Sequence, residues 1–152
     1  MRTVRVLAVA VAVCLLAAAC RAPGEPPSHP DVGVYRDIIR READSTHTAL
    51  ATAKLLITTA RAQGIPSTYA RVTLRSVVGD LDHVVIDLHK ITPPPPAIRP
   101  QQRLATIAAH DAQLVGQLQH HWSDSALRAH VLQQVTRHAD ELDTALDKKL
   151  QL

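Results

Sequence analysis

The chain has 152 residues, of which 17 are basic, 14 acidic and 9 histidine, for a formal net charge of +3. That length suits one domain, and the basic residues are spread along it, which excludes the clustered basic face that a nucleic-acid binder needs. Phe is absent and there are one Trp and two Tyr, so any core must be built from Leu, Val, Ile and Ala.

Arg2 and Arg5 precede an apolar run from Val6 to Ala19, and Ala17, Ala18 and Ala19 lead directly into Cys20. A basic start, an apolar stretch and small residues at its end are the marks of an export signal. The run is fourteen residues long, short of the about twenty that a membrane-spanning helix needs. Over residues 1–21 the pattern resembles the signal and lipobox of bacterial lipoprotein precursors. Matched to that family, Ala18 and Ala19 are the small residues before the cleaved bond, and Cys20 is the residue that receives diacylglycerol. Ala17 stands where the family usually has Leu, Val or Ile, and an ordinary secretory signal cleaved near Ala19 is the rival reading.

The resemblance implies a signal over residues 1–19, a lipid anchor at Cys20, and a domain held at the extracytoplasmic face of the cell membrane. Cleavage would remove Cys14 and lipidation would consume Cys20. The mature domain would then carry no thiol for a disulfide, a metal or a nucleophile. Loss of Arg2 and Arg5 leaves 15 basic against 14 acidic residues, a net charge of +1.

Residues 20–30 read as the lipidated cysteine and a tether. Pro23, Pro26, Pro27 and Pro30 forbid a helix there and favour an extended spacer of about 3 Å per residue. Four helices are expected over residues 31–152. The first runs from about Asp31 to Gln63 on the stripe Ile39, Ala43, Thr46, Leu50, Ala53, Ile57 and Ala60. Its steps alternate four and three, the spacing of helices that cross at a shallow angle. Gly64 is placed for a left-handed helix end, with Ile65 packing back and Pro66 blocking continuation.

The second helix is expected from about Ser67 to Ile91, on Ala70, Leu74, Val77, Leu81, Val84, Leu88 and Ile91. Arg71, Asp82 and His89 fall on its solvated side. Pro93 to Pro96 predict a polyproline rod between two hairpins. The third helix is expected from near Pro100, on Leu104, Ile107, Asp111, Leu114 and Leu118. Ser123 is expected to cap the fourth, with Trp122 and Leu127 as a hydrophobic staple. Val131, Leu132, Val135, Ala139, Leu142, Leu146 and Leu150 make the fourth stripe. The expected fold is all-α, an antiparallel four-helix bundle of two helical hairpins joined by a proline-rich linker.

No catalytic motif emerges, neither a Gly-x-Ser-x-Gly elbow, a phosphate loop, nor His-Glu-x-x-His, so no enzyme and no cofactor are expected. The expected role is non-catalytic, that of a membrane-anchored envelope lipoprotein with a binding, adaptor or structural domain and an unidentified protein partner. The alternative is a metal-binding or metal-buffering bundle that uses its histidines. Its best spacing is Asp44-x-x-His47 facing Asp80-x-x-His83 across the first hairpin, similar to the carboxylate-x-x-His ligands of ferritin-like bundles. Those residues flank the stripes and no inward glutamates complete a shell, so no metal site is expected in the domain, and no tight binding of zinc, copper or iron. His110, His120, His121, His130 and His138 read as solvated surface. Asp111 breaks an apolar stripe and needs a partner or solvent. A partly exposed rim position is expected, with Lys54 and Arg75 at about its height.

Overall fold

A computed structural model describes residues 32–149, with side chains described as far as residue 144. The signal, Cys20 and the tether lie outside the described residues. Four helices follow one another: α1 (Val32–Gln63), α2 (Ser67–His89), α3 (Ile98–His120) and α4 (Ser125–Lys149). Each packs on its chain neighbours, and α4 closes on α1, so the protein is an all-α antiparallel bundle of two hairpins. The turns at Gly64 and at His121 lie at one end. The proline linker and the start of α1 lie at the other.

The stripes become the core. Leu50, Ala53 and Ile57 of α1 are fully buried against Leu74, Val77, Leu81 and Leu88 of α2. From α3 come Leu104, Ala108, Val115 and Leu118, and from α4 Val131, Val135 and Leu142. Burying one such leucine or valine stabilises the fold by about 1.5–3 kcal/mol. Thr46 occupies a fully buried stripe position because its hydroxyl donates to the Glu42 carbonyl one turn back, at 2.8 Å, which satisfies the one polar group it brings.

The first hairpin closes as its sequence predicts. Gly64 has φ +68°, the left-handed conformation that glycine adopts without steric cost, and its N–H donates to Ala60 O at 3.2 Å. Ile65 is half-buried against the core.

Three local expectations are corrected. First, α2 ends at His89 rather than Ile91. Its last turn tightens, with Ile91 N–H donating to Leu88 O at 3.4 Å, because no helix can run into the prolines. Second, the four prolines do not form one rod. Pro94 is extended, and Pro95–Ala97 wind into a 3₁₀ turn closed by Ala97 N–H on Pro94 O at 2.8 Å. A proline φ near −65° serves both conformations, and the 3₁₀ turn feeds α3, which starts at Ile98 with Pro100 in its first turn. Third, α3 ends at His120 and the cap of α4 is Asp124, not Ser123. Asp124 Oδ1 accepts from the N–H groups of Ala126 (2.9 Å) and Leu127 (3.0 Å), the two orphan donors that an N-cap serves. The staple positions therefore shift, and the buried Trp122 is covered by the Arg128 guanidinium, 5.5 Å from its ring centre. Arg128 Nη1 also donates to Trp122 O at 2.5 Å.

The linker end is tied by a polar clasp. Tyr35, 4% exposed, donates to Gln101 Oε1 at 2.7 Å. Gln101 Nε2 in turn donates to Leu88 O and, at 3.2 Å, to Ile91 O, carbonyls at the end of α2 that no i+4 N–H serves. One glutamine thereby joins α1, α2 and α3.

Two outcomes are expected. Leu74→Ala should cost about 2–5 kcal/mol of stability by removing a fully buried side chain, read as a lowered midpoint in a urea melt with an unchanged slope. Burial pushes the Tyr35 phenol up from 10.0 to about 12. A group whose folded value is raised contributes stability in full below its unfolded value and loses it as the pH climbs through the folded one. The Tyr35 contribution is thus intact below about pH 10 and lost through about pH 12. In a Tyr69→Phe background, where Tyr35 is the one tyrosine left, phenolate absorbance should appear late, together with helix loss; a midpoint near 10 would refute the burial argument.

Candidate functional site

The pair Asp111 and His138 is the most unusual feature of the interior. Asp111 lies on the inner face of α3 with 0% exposure, and His138, on α4, is 8% exposed. The imidazole Nδ1 sits 2.9 Å from Oδ1 and 2.8 Å from Oδ2, so one N–H is shared between both carboxylate oxygens. The other ring nitrogen, Nε2, faces Arg137 Nη2 at 3.2 Å. A neutral ring protonated at Nδ1 satisfies both contacts, donating to Asp111 and accepting from Arg137. Burial drives the Asp111 carboxyl above the usual carboxylate range, while the hydrogen bond and charge of His138, and the nearby His110, pull the other way.

His110 completes the cluster from the solvent side. Its side chain is 47% exposed, and its Nδ1 lies 3.6 Å from Asp111 Oδ1. Its ring meets that of His138 edge to face, with centres 5.5 Å apart. Further along the same seam Arg103 Nε donates to Glu141 Oε1 at 2.5 Å, and this bond holds the Glu141 carboxyl below its usual range.

The expectation for Asp111 is therefore corrected: it is buried rather than at a rim, and its partner is His138, not Lys54 or Arg75, both of which are exposed. His138 is corrected from surface to interior. Its signal was present, because Val131, Val135, His138 and Leu142 keep the four-three alternation as well as the stripe that runs through Ala139. His110, His120, His121 and His130 are exposed as expected. The carboxylate-x-x-His pairs are not brought together. Asp44, Asp80 and His83 line an open groove between α1 and α2. His47 instead turns toward α4, where its Nε2 lies 3.4 Å from Asp143 Oδ1. The groove also carries Arg40 and Arg41 beside Asp37, Glu42 and Asp87, so carboxylates outnumber arginines in its lining. Cys20, the lipidation candidate, lies outside the described residues.

The chain matches no known protein family, no curated protein and no solved structure.

A carboxylate removed from water stays charged only if its environment replaces the lost hydration, and a hydrogen-bonded imidazole does so at close range. Removing one member leaves the other buried without its partner. His138→Leu, which leaves a buried carboxylate, should cost about 3–5 kcal/mol and Asp111→Leu, which leaves a neutral imidazole, about 1–3 kcal/mol, while the double substitution should cost far less than their sum. Urea melts of the four proteins check this, and additive losses would show that the two side chains act independently.

Proposed function

We propose that the protein is a lipid-anchored envelope protein whose helical bundle is a non-catalytic binding, adaptor or structural module. The observation that carries this reading is Cys20, set directly after Ala17-Ala18-Ala19 at the end of a fourteen-residue apolar run behind Arg2 and Arg5. Among the described residues no helix is long and apolar enough to cross a membrane, and the anchor proposed here is the cysteine. A single acyl chain holds a protein only marginally, whereas a multiply acylated cysteine anchors it stably.

The surface of the first hairpin supports a binding role. Leu55 of α1 is 67% exposed, and Tyr69 and Val72 of α2 are 60% and 64% exposed. Tyr69 and Val72, three residues apart, share one face of α2. Apolar side chains held in water at this level offer a partner free energy on association, and Tyr in particular combines a large apolar face with a hydroxyl.

Cys20→Ala should move the protein from the membrane fraction to the soluble fraction, with the helical content of the domain unchanged. Mass spectrometry of the mature unsubstituted protein should find acyl groups on Cys20. A free Cys20 thiol in the membrane-bound protein would overturn the anchor.

A further inference from the structure

Asp111, His138 and His110 put two imidazoles and one carboxylate at a single point, with one ligand atom from each lying within 4.8 Å of the others. That donor set is the one borderline divalent cations take with a coordination position left open. The spacing suits the smaller of them. Two donors each about 2.0–2.1 Å from zinc at a tetrahedral angle stand about 3.3 Å apart. The measured separations, 2.8 Å from His138 Nδ1 to Asp111 Oδ2 and 3.6 Å from His110 Nδ1 to Asp111 Oδ1, lie on either side of that value. We propose that His110, Asp111 and His138 form a zinc-type metal site on the seam between α3 and α4.

The three residues divide the work by their burial. Asp111 is the charged ligand, and its fully buried carboxylate faces two imidazoles with no Lys or Arg ion-paired to it among the described residues. A dication seated between Nδ1 of His138 and the carboxylate would replace the single shared proton with a stronger charge. The proton of the His138 ring would then move to Nε2. Arg137, on the exposed side of α4, would have to turn away from that nitrogen, and Gln134 Oε1, which already accepts from it at 2.5 Å, gives it somewhere to go. His110 is the gate ligand. Half in solvent, it offers the route by which an ion enters, and it leaves the fourth position on the water side. The site stands on α3 and α4 alone and does not depend on an anchor at Cys20.

Zinc chloride titrated by calorimetry into the full-length chain, purified in detergent and stripped with a chelator, tests the proposal. One saturable ion per chain is expected, with the thermal midpoint rising as zinc is added, since an ion that binds only the folded chain stabilises it by mass action. His110→Ala removes an exposed ligand, so it should keep the helical spectrum and the cooperative melt yet lose affinity by about tenfold or more. Asp111→Asn keeps the shape and can still accept from His138, and it should lose saturable binding altogether. His47→Ala and His83→Ala should bind as the unsubstituted chain does. Weak binding spread over many sites would overturn the proposal, and so would a His110→Ala variant that holds zinc unchanged.

Discussion

Asp111 sets the terms for the second hairpin. A carboxylate with no exposure can be held only at the height where a partner meets it, and that partner, His138, lies on the next helix. The contact fixes how far α4 slides along α3. Because α3 also packs on α2 and α4 on α1, that sliding position is passed around the bundle. The energies separate two roles. Stability comes from Leu50, Leu74, Leu81 and their neighbours, each worth about 1.5–3 kcal/mol of burial. A buried hydrogen-bonded pair contributes little net stability, yet parting its members leaves polar groups buried and unsatisfied, which strongly disfavours any such arrangement. Leucines and valines would pack nearly as well one turn out of register, but Asp111 would not.

A similar division appears at the opposite end. Gln101 adds a donor to two carbonyls at the end of α2, those of Leu88 and Ile91, and Tyr35 answers Gln101. Proline is the reason such a clasp is needed. Pro93 to Pro96 stop α2 without offering N–H groups of their own, so its last carbonyls are met by Lys90 and Ile91 N–H and by a side chain from the following helix. The two turn ends use local devices instead, a left-handed Gly64 and an Asp124 cap.

The architecture was legible because periodicity reports which face of a helix is buried. The unbroken stripes of α1 and α2, and the Gly64-Ile65-Pro66 stop, led to the first hairpin within a residue or two of its observed bounds. Periodicity does not report which helix a face meets, and the candidate site was lost there. Asp111 stood out as a charge on an apolar face, but its partner depended on the register of a second hairpin whose turn was misplaced by one residue. His138 was hidden by Ala139, since a helix with buried residues at both positions supports two stripes. The linker failed for a different reason: the proline φ is common to an extended rod and a 3₁₀ turn, and the choice was made by how α3 docks. The metal reading of Asp44, His47, Asp80 and His83 placed two pairs at one height, but helix rotation sent His47 toward α4 and His83 into the groove beside α2.

The position of Tyr35 has a mechanical consequence. It lies three residues into α1, where the chain arriving from Cys20 joins the bundle. Tension transmitted along that chain would reach the Tyr35 hydroxyl before it reached any leucine of the core. Peeling α1 away would require breaking its bond to Gln101, and Gln101 is held in turn by the last carbonyls of α2. A pull from that side would thereby be shared among three helices at the first point of loading, and the bundle would resist unzipping from its N-terminal end.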